Sequence, residues 1–304
     1  MSECRNCGER NVHGLGAVGK LAPFFLKRVV GLELADPKSP SPIKRWLRRI
    51  AGIPGSPLRR MTSQFAFAEL EICSRCSFIQ TQRPFHDDDI MRLYRDYRSP
   101  SYNQERIRYE PSYAAIASRV GHDSAEVEHR TEALEAFLGR SIASRQLNTI
   151  LDYGGSDGRF IPKVPARKFV FEVSDVQPIS GVTRIAEESS LKRYSIVLLA
   201  HVIEHVPHPL ELVRKVAAYV EPGGFLYIET PQEIADEDRV GLENGTRRFD
   251  VNIHEHINSY CPSAVHHLVQ SAGLRVVGIE SSLVDVGWAK AVHVRALGQK
   301  EPSE

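Results

Sequence analysis

The chain has 304 residues and a net charge of +1, from 39 Lys and Arg against 38 Asp and Glu. That length accommodates one large domain plus a small one, and the balanced charge argues against a dedicated nucleic-acid binder. The N-terminus, MSECRNCGER, carries charge and cysteine where a secretory signal has an apolar core, and no apolar run reaches the ~20 residues that span a bilayer. A cytoplasmic protein without a membrane span is expected.

Residues 1–12 hold the first of two C-x-x-C pairs, Cys4 and Cys7; Cys73 and Cys76 form the second. In a reducing compartment such pairs favour a metal over disulfides, and four thiolates close a tetrahedral structural zinc site. The chain between the pairs must then leave and return to one place. Cys261 is left over. Residues 13–62 are basic and proline-rich, with Glu33 and Asp36 as their acids. They read as a solvated insertion, with one amphipathic helix in PIKRWLRRIAG that buries Ile43, Trp46, Leu47 and Ile50. The competing reading is a patch for phosphate, nucleic acid or an anionic surface.

FAFAELEICSRCSFIQTQ reads as strand, knuckle, strand. HDDDIMRLYRDYRSPSYNQER opens with Asp87, Asp88 and Asp89, which suit a helix N-terminus. Tyr94, Tyr97 and Tyr102 follow, placed to pack or to line a pocket. Residues 112–145 read as helical and feed the first strand of the main sheet.

That strand ends in ILDYGGSDG. An acid, Asp152, is followed by a turn in which Gly154, Ser156 and Gly158 let backbone N–H groups approach a ligand. RFIPKV beyond it is expected to open a short helix. Glu172 ends the next apolar run, KFVFEV, at an offset that suits a pair of ribose hydroxyls. GVTRIAEESSL holds a weak third strand. YSIVLLA is a buried strand ending at Ala200, with His201, Glu204 and His205 after it. HPLELVRKVAAYVEPGG is an amphipathic helix with a Pro-Gly-Gly stop, and FLYIETP is the next strand. A polar loop carries HEHINSYCP; SAVHHLVQSAGL is a helix; LRVVGIES and AKAVHVRAL are the last strands. Strands alternating with helices predict an α/β sheet, mostly parallel, with ligands at its carboxyl ends. His201 to His205 also fit H-x-x-E-H, a zinc-peptidase pattern, but that pattern needs a helix, and here it follows a strand and precedes Pro207 and Pro209.

Taken in order, these motifs resemble class I S-adenosylmethionine (SAM) methyltransferases with an N-terminal four-cysteine zinc domain, a branch that includes sugar-nucleotide C-methyltransferases. The resemblance rests on C-x-x-C at 4–7, LEICSRCSFIQ, LYRDYRSPSY, ILDYGGSDG, FVFEVS, AHVIEHVPHP, GGFLYIETP and HEHINSYCP. It implies a Rossmann-like sheet with helices on both faces in a domain over 101–304, after a zinc domain over 1–100. It implies SAM held by Asp152, Gly154, Ser156, Gly158, Glu172, Ala200 and His201, and zinc on Cys4, Cys7, Cys73 and Cys76. The implied catalytic base is His256, with His254, Tyr97 or His201 orienting substrate or stabilising charge. A small-molecule acceptor, such as a keto-sugar nucleotide, is expected. The family's tyrosine just before H-E-H is replaced by Ile253, and its Y-F-S is replaced by Ser259-Tyr260-Cys261. O- or N-methylation, and a zinc-containing nucleic-acid binder using the basic segment, are the alternatives.

Overall fold

The computed structural model describes residues 3–32, 66–142, 147–246 and 251–302. The chain builds two sheets. The larger has seven strands: β4 (Thr149–Tyr153), β5 (Arg167–Phe171), β6 (Val182–Ile185), β7 (Tyr194–Ala200), β8 (Val220–Pro231), β11 (Arg275–Asp285) and β12 (Lys290–Gln299). Their spatial order is β11-β12-β8-β7-β4-β5-β6. The β6-β5-β4-β7-β8 portion is parallel, and β12 is inserted antiparallel between β8 and β11. Winding reverses direction between β4 and β7, which opens a crevice at their carboxyl ends.

The strands alternate as the period of two demands. Leu151, Val197, Leu199, Leu226 and Ile228 face helices α5 (Pro209–Ala217) and α7 (Pro262–Ser271). Ile150, Ile196, Leu198, Phe225 and Tyr227 face α4 (Ser124–Ser141), which contributes Leu134, Phe137 and Leu138. Helices thus cover both faces. Only α4 lies within the stretch expected to be helical over 112–145. A 3-10 turn at Pro111–Ala115 precedes it, and Asp123 caps it by accepting from Ala125 N at 3.0 Å.

The smaller sheet has order β10-β3-β2-β1-β9, from β1 (Val12–Leu21), β2 (Ala66–Cys73), β3 (Ile79–Thr81), β9 (Val251–Ile253) and β10 (Asn258–Ser259). Its two outer strands therefore come from chain at least 170 residues after β3 (251 − 81 = 170). Under it pack α1 (Pro23–Phe25, continued by a π turn over Leu26–Val30), α2 (Asp87–Tyr94) and α3 (Pro100–Tyr109).

Two expectations are corrected here. Residues 13–32 are not a solvated insertion: β1 is an inner strand paired on both sides, and Phe24 and Phe25 are fully buried. Arg28 is tied to Glu105 at 2.5 Å and lies over the Phe24 and Tyr102 rings. The helix expected in PIKRWLRRIAG lies outside the described residues. RFIPKV forms no helix; turns and bends carry the chain to β5, because Pro162 and Pro165 interrupt the segment. The glycine-rich turn therefore offers its own amides rather than a helix N-terminus.

Candidate functional site

The turn after β4 is built on left-handed backbone. Gly154, Ser156 and Gly158 have φ of 77°, 55° and 79°. A Cβ on Gly155 would sit 2.1 Å from the Asp152 Cγ, so the turn lies directly over that carboxyl. Asp152 is buried, and burial pushes its carboxyl up to about 7 against the pull of Arg130. Glu172 follows β5 and bridges two backbone amides, Ser156 N and Ser174 N, each at 3.0 Å. Each of its oxygens keeps a second lone pair for a hydroxyl donor. Asp152 and Ala200 line one small cavity with Arg130, Phe160, Tyr227 and Glu229.

At the end of β7 the chain turns sharply. His201 N still pairs with Glu229 O at 2.8 Å, and its φ is then 54°. This positive φ in a non-glycine residue is an uncommon conformation. The His201 ring lies between two buried carboxylates, 3.2 Å from Glu229 and 3.3 Å from Glu204. Residues 203–205 form a single 3-10 turn, so H-x-x-E-H lacks the helix that a peptidase site requires.

Beyond Glu204 lies a second group. The rings of His205 and His256 stand 4.7 Å apart, edge to face. His256 Nδ1 meets Glu233 Oε1 at 2.7 Å. Burial disfavours charge on His256, but Glu233 beside it outweighs burial and raises its pKa above the usual value. His205 behaves oppositely: burial takes its ring down to about 3, so it is neutral. Its Nδ1 meets the Tyr94 hydroxyl and, at 3.4 Å, the Glu255 carbonyl. Burial opposes the Glu204 charge, yet the neighbouring His201 and His205 bring its carboxyl down to about 2. A polar chain thus runs from Glu229 through His201 and Glu204 to His205 and His256.

The structure therefore brings Asp152, the 154–158 turn, Glu172, Ala200 and His201 to one edge of the sheet, and His256 to the same crevice through Glu204. Tyr97 and His254 sit differently. Tyr97 donates to Glu255 at 3.1 Å, and it is Tyr94 that meets an imidazole. His254 is half exposed and faces Glu110 at 3.3 Å, because a bend at 254–255 separates its direction from that of His256. Sequence reading missed His205 and Glu233 as partners of His256, and Tyr94 as the partner of His205, although HVIEH already displayed His205. It also missed Arg130 and Arg295, which hold the buried Glu229 at 2.8 Å each. Nothing in local sequence links positions so far apart.

The four cysteines are buried and mutually close. Cys4 and Cys76 Sγ lie 3.7 Å apart, as do Cys7 and Cys73. A tetrahedron with zinc–sulfur bonds of about 2.3 Å has edges of about 3.8 Å, so the set fits that ion. Both knuckles repeat one backbone, with positive φ just after the second cysteine: 76° at Gly8 and 58° at Ser77. The knuckles pack against α7, where Asn6 Nδ2 donates to Ala264 O at 2.8 Å.

Among curated relatives, the ubiquinone biosynthesis O-methyltransferase of Burkholderia thailandensis is 29% identical over 109 residues, 35% of this chain and 46% of that protein. The C-methyltransferase NovU of Streptomyces niveus is 23% identical over 236 residues, 72% of this chain and 49% of that protein. The chain thus spans about half the length of these relatives. Among solved structures, a 1,6-didemethyltoxoflavin N1-methyltransferase of Burkholderia thailandensis, with S-adenosylhomocysteine bound, matches with a TM-score of 0.45 and 14% identity, over 76% of this chain and 97% of that one. The profile of the family described as a methyltransferase domain matches residues 126–279, half of the chain, and the protein belongs to that family.

Proposed function

We propose that the protein is a SAM-dependent methyltransferase that methylates a carbon of a keto-sugar nucleotide or a related small biosynthetic intermediate, with His256 as base. The observation that carries this reading is the His256–Glu233 pair at 2.7 Å, joined through Glu204 to the crevice end of β7. Bound SAM would supply an electrophilic methyl on a sulfonium. The open 154–158 turn fits such a ligand, as does Glu172 with its free lone pairs. Asp152, Gly154, Ser156, Gly158, Glu172, Ala200 and His201 are the residues proposed to hold it.

His256 uses the nitrogen that Glu233 leaves free. It takes the proton next to the acceptor ketone, and Glu233 stabilises the imidazolium that forms. The C–H electron pair would be held as an enolate, aligned with the methyl that bound SAM would supply, so that carbon–carbon bond formation would accompany sulfur–carbon cleavage and leave S-adenosylhomocysteine. Neutral His205, backed by Tyr94, is placed to donate to the developing oxyanion. Tyr97 and His254 act one step back, through Glu255 and Glu110. Cys4, Cys7, Cys73 and Cys76 would hold a structural zinc with no ligand position open. Similarity to NovU over 72% of the chain reaches outside residues 126–279 and supports the carbon acceptor.

The O-methyltransferase relatives support a second reading, in which the same base deprotonates a hydroxyl. Calorimetric titration with SAM and with S-adenosylhomocysteine is the first test, and binding by neither ligand to folded, zinc-quantified protein sinks both readings. Keto-sugar nucleotides are then screened as acceptors. Carbon-13 NMR of the product separates a new C–CH3 from an O–CH3 group, and only the former sustains the proposal.

A further inference from the structure

Glu204, His205 and His256 each offer a ligand atom, and the three atoms lie within 4.8 Å of one another. Points that close share a centre no more than about 2.8 Å (4.8/√3) from each, so shifts of about 0.7 Å reach the 2.0–2.1 Å of a zinc–nitrogen bond. The outer contacts already have the form that metal-bound histidines take. Glu233 holds His256 Nδ1, and Tyr94 with the Glu255 carbonyl holds His205 Nδ1. Both Nε2 atoms are left for the shared centre. Glu204 is buried, with a side chain 1% exposed. Its Oε2 accepts from Thr230 at 3.2 Å, while Oε1 stands 3.3 Å from His201 Nδ1 and 3.9 Å from His205 Nε2, so a cation at the shared centre would share this oxygen with His201.

A neighbouring trio makes the contrast. His201, Glu229 and His293 are equally close, but Arg130, Arg295 and Tyr227 already satisfy Glu229. Two guanidiniums on one carboxylate leave no room for a further cation. The Arg106 guanidinium, which acts on His256, is instead held between Glu110 and Glu255.

We propose that Glu204, His205 and His256 form a second metal site, for a borderline divalent cation such as Zn2+ or Co2+, whose occupation switches methyl transfer off. Two imidazoles and one carboxylate suit such ions. The off-switch half rests on the reading of His256 as base: the metal takes the lone pair that proton abstraction needs. The binding half does not depend on that reading.

The test is equilibrium dialysis of the full chain against micromolar Zn2+, with metal counted per chain, and Co2+ absorption as a second readout. Wild type is expected to hold two equivalents, and His205→Gln and His256→Gln one each. Glu233→Gln keeps both cysteine-bound and second-site metal, the latter about 10- to 100-fold more weakly. A mild chelator that removes only the second equivalent restores methyl transfer. One equivalent in wild type that both histidine variants keep, or a second equivalent that persists in both histidine variants through surface sites such as His266 and His267, overturns the metal site. Two equivalents with undiminished transfer overturn the switch.

Discussion

At the scale of single residues, the proposed chemistry turns on how two histidines differ. His256 and His205 touch, yet Glu233 raises one while burial lowers the other. His256→Gln is predicted to cut turnover about 10²- to 10⁴-fold, the usual range for a positioned base, with SAM affinity unchanged by calorimetry; full turnover sinks the assignment. The sign of the pH effect follows. A base acts when deprotonated, so the ascending limb of kcat/KM lies above the ordinary 6.5 of histidine. Glu233→Gln removes the largest raising influence, with Glu204 alone left against burial and Arg106, and moves that limb to lower pH. An unmoved limb means that Glu233 does not tune the base. Asp152 yields a stability prediction. Its folded carboxyl titrates near 7 rather than 3.8, so between those values the folded state keeps a proton that the unfolded chain has lost. Stability from this group falls as pH rises through that window. The urea midpoint of Asp152→Asn is expected to gain on wild type between pH 5 and pH 8. The motif residues were legible because glycine, acid and strand end have local signatures. Tyr94, Glu233 and Arg130 were not, because their roles come from tertiary contacts.

At the scale of elements, the site is two loops held together by backbone. Ile257 N pairs with Glu204 O at 3.0 Å, and Asn258 Nδ2 donates to Ile203 O and Val206 O at 3.0 and 2.7 Å. These bonds fix the H-E-H loop against the turn that carries Glu204 and His205. Asn258→Ala removes both bonds, leaving Ile203 O with the Tyr260 hydroxyl at 3.3 Å and taking from Val206 O its 2.7 Å donor. It is predicted to lower kcat more than tenfold, consistent with the loss of about 1.5–3 kcal/mol of buried hydrogen bonding, while leaving SAM binding intact; equal loss of both would mean that the loops do not act as a separate unit. The strands of the main sheet were legible from apolar runs and turn residues, and β6 was legible despite its weak pattern. The segment RFIPKV beyond the turn after β4 was not, since a short helix was expected where Pro162 and Pro165 interrupt the chain. β1 was hidden because Gly14, Gly16 and Gly19 give VHGLGAVGKL no clear alternation, and its place comes from pairing with β2 and β9.

At the scale of the whole molecule, the cysteine cluster ties the ends of the active crevice together. Cys73 ends β2, Cys76 precedes β3, and β3 pairs with β10 beside the H-E-H loop. From the other side, Arg239 donates to Ser77 O at 2.6 Å and to Tyr260 O at 2.9 Å, so the second knuckle and the loop end share one guanidinium. The turn proposed to hold SAM instead hangs on β4 and β5, which belong to the larger sheet. Removing metal should therefore damage acceptor chemistry before cofactor binding. A structural zinc contributes folding energy directly, so its loss lowers Tm. Cys73→Ser, or exhaustive chelation, is expected to reduce metal from one equivalent at the cysteines to none, to drop Tm, and to abolish methyl transfer. Affinity for S-adenosylhomocysteine at 15 °C should fall less than threefold. If cofactor affinity collapses in parallel with transfer, the two sheets form one cooperative unit and the cysteines support the fold as a whole. If Tm and turnover both survive metal loss, the 3.7 Å sulfur contacts are thiol packing and the site is not zinc.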